Sequence, residues 1–225
     1  MEALVLLILV IGIYFLSKRS INKLATILDR IFHNHHLVNG IIALTFFPGT
    51  VLHEMAHFFM ATILFLKVAK VNLLPTWEKN SIKLGSVTYY KRDVFRSILV
   101  GIAPIFVGTG ILWWLSLTGF FPAHTWWMNI ILGYIIWVIS STMFSSRQDL
   151  IDILYVIPLI IFIAIIVFLF KINVVGSFTA LVHTSWFVSG LHHLSNINFM
   201  LAIALGVHII ANIIFEALLY FQAPT

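Results

Sequence analysis

The sequence contains no cysteine, which excludes disulfides, thiolate metal sites, iron–sulfur clusters and a cysteine nucleophile. Any metal must be held by His, Asp or Glu. Charge is nearly as scarce, with 13 basic and 8 acidic residues in 225, or 9%, against about 25% in an ordinary soluble domain. So little polar material cannot coat a water-soluble domain of any size, and soluble enzyme folds are excluded with it. What fills the chain instead is apolar: 61% hydrophobic residues and a mean hydropathy of +1.05. Nearly the whole length must be spent crossing a bilayer. The formal charge of +5 comes mostly from two short basic stretches. It therefore reports on topology and lipid headgroups, and no nucleic-acid partner is implied.

Apolar runs of the length a spanning helix needs, about 17 to 25 residues, occur at Gly40 to Leu66, Val94 to Phe121, Trp126 to Phe144, Leu150 to Phe170 and Phe199 to Phe221. A shorter run covers Ala3 to Leu16 and a weaker one Val174 to Leu191. The expected fold is an all-α polytopic membrane protein of six or seven transmembrane helices, forming a single integral membrane domain over residues 1–225. The first run reads as a retained helix rather than an export signal, because Glu2 stands where a basic n-region would be and no small-residue cleavage site follows. Trp113, Trp114, Trp126 and Trp127 flank a turn at Phe120 to Thr125 as an interfacial aromatic belt does.

Two polar segments, Ser17 to Asn39 and Lys67 to Asp93, are expected as loops on opposite sides of one helix. The second has more Lys and Arg, which favours it, and with it the N-terminus, as cytoplasmic. Within it, Val68 to Leu74 and Ser81 to Tyr90 are β-prone and separated by Pro75 and Asn80, which predicts a short hairpin at the membrane surface.

The chemistry is concentrated in Phe47-Pro48-Gly49-Thr50-Val51-Leu52-His53-Glu54-Met55-Ala56-His57, an H-E-x-x-H motif inside an apolar helix. Positions i and i+4 share a helix face, so His53 and His57 can present imidazole nitrogens to one Zn²⁺ while Glu54 handles a water as general base. An ionisable side chain at mid-bilayer costs on the order of 2.5 to 3.5 kcal/mol on insertion scales, which makes the site functional by default. A catalytic zinc usually takes three protein ligands and leaves one position open. The candidates for the third are Asp149 and Asp152 in a polar break between two apolar runs, the stripe His208, Asn212 and Glu216, and the pair His192 and His193, expected in a short loop. Asp149 and Asp152 also suit a helix N-terminus capped by Ser146, and the stripe suits interhelical pairing. His33, His35 and His36 read as interfacial loop residues.

With its β-prone loop, Gly101-Ile102-Ala103-Pro104 in the next helix and an Asp at the edge of a later one, this arrangement resembles the site-2 protease family of intramembrane zinc metalloproteases, as a small divergent member. The resemblance covers roughly Gly40 to Phe170, the catalytic core being about 40–170. It implies Zn²⁺ as cofactor, His53, His57 and Asp149 as ligands with Asp152 as substitute, and Glu54 as general base. It also implies a transmembrane protein as substrate within the lipid bilayer. A multi-pass protein of a prokaryotic plasma membrane is the expectation. The chain departs from the family at Ala56, where Gly is common before the second motif histidine. Ser146 to Asp149 replaces an Asn/Pro segment ending in Asp-Gly, and the Gly-Pro element is looser.

Asn129 and Asn173 are candidates to orient a substrate carbonyl, and no oxyanion donor is assigned. Gly108-Thr109-Gly110 lacks the Asp of an aspartyl intramembrane protease, and no Gly-x-Ser-Gly appears for a serine nucleophile. Two other readings remain: a di-iron membrane oxygenase or desaturase, suggested by ten histidines, and a non-catalytic metal-binding membrane protein or transporter.

Overall fold

The computed structural model describes residues 1–78, 81–90, 93–144 and 184–222, with a few single positions between 158 and 170. The elements in chain order are α1 (Glu2–Phe32), α2 (His35–Ile63), β1 (Val68–Asn72), β2 (Thr76–Glu78), β3 (Ser81–Lys83), β4 (Ser86–Tyr89), α3 (Val94–Thr118), α4 (Trp126–Thr142) and α5 (Ser185–Phe221). Five helices thus stand among the described residues, where six or seven were expected. Four of them, α1, α2, α3 and the His192–Phe221 part of α5, are long and apolar enough to cross a bilayer, and α4 is a shorter apolar helix. The expected span Leu150 to Phe170 lies almost wholly outside the described residues.

Two expectations are corrected here. The expected loop Ser17 to Asn39 shrinks to His33 and Asn34: Ser17 to Phe32 is the second half of α1, a helix of 31 residues, and His35 to Asn39 form the start of α2. At 1.5 Å per residue it is about 46 Å long, against a hydrocarbon core of about 30 Å. The polar half stays helical because its apolar residues keep helical spacing: Ile21 and Leu24 pack on the cluster of Phe46, Trp137 and Val138, and Ile27 is buried. The helix ends at His33, which adopts φ 51°, and Asn34 caps α2 by accepting from the backbone N–H groups of His36 and Leu37. His192 and His193, expected in a loop, lie within α5, which contains no Pro and runs unbroken for 37 residues.

α1 and α5 run parallel and are stitched along their length. The Asn198 amide donates to the Glu2 carbonyl and carboxylate at 3.0 and 2.6 Å, the Asn212 amide to the Leu16 carbonyl at 3.0 Å, and Arg30 to the Leu219 carbonyl at 3.1 Å. Glu216 pairs with Lys23 and, at 3.3 Å, with Arg19. The stripe His208, Asn212 and Glu216 is therefore occupied by interhelical partners: the His208 ring meets the Ser140 hydroxyl of α4 at 3.0 Å. The core follows from the same convergence, with Ile13, Leu112, Ile136, Met200, Leu201 and Ala204 among its buried members.

α2 and α4 approach closely at Gly49. A Cβ there would stand 2.7 Å from Val138 Cγ1 and collide with the Thr142 side chain, so the approach requires glycine. Gly49→Ala is expected to destabilise the protein by about 1–3 kcal/mol through overpacking, read as an earlier thermal unfolding transition in detergent.

The expected hairpin is present and doubled. β1 pairs antiparallel with β4 (Val71 opposite Val87, Asn72 opposite Ser86), with an irregularity between Val68 and Lys70, and β2 pairs with β3 inside it. Beyond α3, Gly119 at φ 64° opens the turn to α4, and the Asn129 side chain clips the Ala123 N–H and carbonyl at 2.7 and 2.9 Å. Trp114, Trp126 and Trp127 around this turn are exposed, as an aromatic belt requires.

Candidate metal centre

α2 continues through Pro48 and carries the motif nine residues short of its end at Ile63, about 14 Å from that end at helical rise. The site therefore lies toward the hairpin side of the helix. His53, Glu54 and His57 are all buried, at 4%, 8% and 8% exposure, and such groups are almost never buried without partners.

The two imidazoles stand edge to face, their planes at 85°, and turn their Nε2 atoms toward each other at 3.0 Å. His57 Nδ1 lies 2.8 Å from the Val100 carbonyl of α3. A carbonyl only accepts, so Nδ1 carries the proton and Nε2 keeps its lone pair. That is the tautomer of a metal-ligating histidine whose other nitrogen is held by an outer partner. Two nitrogens bound tetrahedrally at roughly 2.0–2.1 Å from one zinc stand roughly 3.3–3.4 Å apart. The observed 3.0 Å is within a small ring rotation of that separation, so the pair fits the ion.

The hairpin covers the carboxylate. A Cβ on Gly85, in the link between β3 and β4, would stand 2.7 Å from Glu54 Cγ and 3.1 Å from Oε1. Glycine is required for the backbone to come this near. Beside His53, which helps to line it, a cavity of about 10 Å³ has the size of one water or one methyl group. It is lined by Gly49 and Leu52 of α2, Pro104, Val107 and Ile111 of α3, Thr142 at the end of α4 and Met143 just beyond it.

The structure thus brings together His53, Glu54 and His57. Asp149 and Asp152 lie outside the described residues, and among the described residues no three His, Cys, Asp or Glu side chains are placed to hold one metal ion together. The histidines that suggested an oxygenase are likewise not clustered among the described residues. His35 pairs with Asp29 at 3.1 Å, and the His193 ring meets Trp113 edge to face. Asn129 holds its turn, which removes it as a carbonyl-orienting group, and Asn173 lies outside the described residues. Sequence inspection missed Gly85 and the Val100 carbonyl. Neither leaves a residue-level signal, since one acts by lacking a side chain and the other through its backbone. Compared with known protein families, curated proteins and solved structures, the chain matches none.

Proposed function

We propose that this protein is a zinc-dependent intramembrane endopeptidase that hydrolyses a peptide bond in or near a transmembrane segment of another membrane protein. The observation that carries it is the buried triplet of α2: two imidazole Nε2 atoms 3.0 Å apart beside a carboxylate, in a helix long and apolar enough to cross a bilayer. His53 and His57 would hold the ion, with Asp149 as third ligand and Asp152 as its substitute. Zinc, when bound, would acidify water and polarise the scissile carbonyl. Glu54 takes the proton of the attacking water on its carboxylate and passes it to the departing amide nitrogen, so that no proton is left over. The Val100 carbonyl keeps His57 oriented throughout.

A transmembrane helix hides its amides and carbonyls in its own hydrogen bonds, so the substrate must unwind before it can react. Adding the unwound strand to the β1–β4 ribbon would restore those bonds and place it above Glu54, over which the Gly85 link already lies.

The test is elemental analysis of the purified protein together with cleavage of a reporter transmembrane segment. Wild type is expected to hold about one zinc per chain, the content of a mononuclear site. Asp149→Ala is expected to weaken zinc binding and cleavage, whereas Asp152→Ala retains both; the reverse pattern makes Asp152 the ligand. Iron in place of zinc, or no cleavage by a zinc-loaded wild type, removes the proposal.

A further inference from the structure

We propose that Pro104 is a positioning residue of this centre: having no N–H to give, it leaves the Val100 carbonyl to His57. In an α-helix the carbonyl of residue i accepts from the N–H of residue i+4. For Val100 that residue is Pro104, inside α3, whose ring nitrogen carries no hydrogen. The same ring crowds the carbonyl one turn back and tilts it off the helix axis. Val100 is 0% exposed, so water cannot satisfy the freed oxygen, and a buried carbonyl without a donor is strongly disfavoured. The donor that meets it is His57 Nδ1, at 2.8 Å from the neighbouring helix.

The consequence reaches the other side of the ring. While Nδ1–H is tied to Val100, Nε2 is fixed as the lone-pair nitrogen and faces His53 Nε2 at 3.0 Å. Any residue at 104 with an N–H would reclaim the carbonyl for the helix. His57 would then lose the acceptor that fixes its proton, and the ring becomes free to carry its hydrogen on Nε2, the tautomer that cannot ligate through Nε2. An apolar helix proline, which reads from sequence as a kink, here sets the protonation site of a side chain on another helix. The bond itself is independent of the zinc reading; only its effect on metal affinity rests on that reading.

The test uses the full chain in lipid nanodiscs, with ¹⁵N-labelled histidine and metal removed, followed by zinc titration against a competing chelator. In wild type the His57 proton is expected on Nδ1. In Pro104→Ala and Pro104→Ser it redistributes toward Nε2, and zinc binds 10- to 100-fold more weakly, the usual effect of losing an outer partner. Pro48→Ala, which removes the proline of α2, leaves the His57 tautomer in place. A proton that stays on Nδ1 in both Pro104 variants overturns the proposal. An equal loss of zinc affinity in Pro48→Ala also overturns it, because helix bending in general would then be the cause. A wild type that takes up no zinc, but whose His57 tautomer responds to residue 104 as stated, sinks the protease reading and leaves the role of Pro104 standing.

Discussion

Glu54→Gln is expected to stop cleavage of a reporter transmembrane segment while the protein keeps its zinc. Gln has the shape of Glu and can still hydrogen-bond a water, but it cannot take a proton from it. Loss of a positioned general base lowers the rate by about 10²–10⁴-fold. Glu54 is only 8% exposed, so bulk water has little access to substitute for it. Fragment yield and elemental analysis on the same preparation check both halves of the expectation. Cleavage that survives would remove Glu54 from the chemistry, and loss of zinc together with activity would make it a ligand instead.

Gly85→Val is expected to lower kcat/KM by at least about 10²-fold, the scale of a 1 Å misplacement at a reacting centre, with the fold and zinc content unchanged. The Cβ alone would lie 2.7 Å from Glu54 Cγ, a distance that real side chains do not tolerate. Either the hairpin lifts or the carboxylate leaves its rotamer, and both move the base away from its work. The main core cluster takes no residue from the hairpin, and Val68 and Tyr89, which pack the hairpin on the cluster of Ala61, Leu66 and Val100, lie in its outer strands away from Gly85. Gly110, whose added Cβ would meet nothing within 4 Å, supplies the control: Gly110→Ala is expected to leave cleavage unchanged. Steady-state kinetics of both variants beside their thermal transitions decides whether Gly85 acts on the site or on the fold.

The helical architecture and the H-E-x-x-H triplet were legible because each rests on a local rule. A run of apolar residues must find its hydrogen bonds within itself in a bilayer, and i, i+4 spacing places two side chains on one face. The hairpin was legible for a similar reason, from β-branched residues between turn formers. What failed depended on length and context. Lys18, Arg19, Lys23 and Arg30 read as loop because charge ends a hydropathy window, yet Ile21, Leu24 and Ile27 continue the helix on its other face. His192 and His193 broke the last apolar run on paper without breaking the backbone. The parallel pairing of α1 with α5 had no local sign at all, since Asn198 and Asn212 find backbone partners across almost the whole sequence.

That pairing also sets a timetable. The Glu2 to Asn198 contact joins residues 196 apart, and at the usual elongation rate of about 5–20 residues per second the partner emerges roughly 10–40 s after α1. The motif-bearing helix α2 is made early in that interval, before α4 supplies Val138 and Thr142 or α5 supplies His208. The nascent helix therefore waits, with these neighbours unmade, for α5 to arrive. Ser140 of α4 meets His208 and the Leu16 carbonyl of α1 receives the Asn212 amide only then. A ribosome that stalls before α5 leaves the H-E-x-x-H helix in an open helical bundle, so closure of this bundle is postponed until α5 is made.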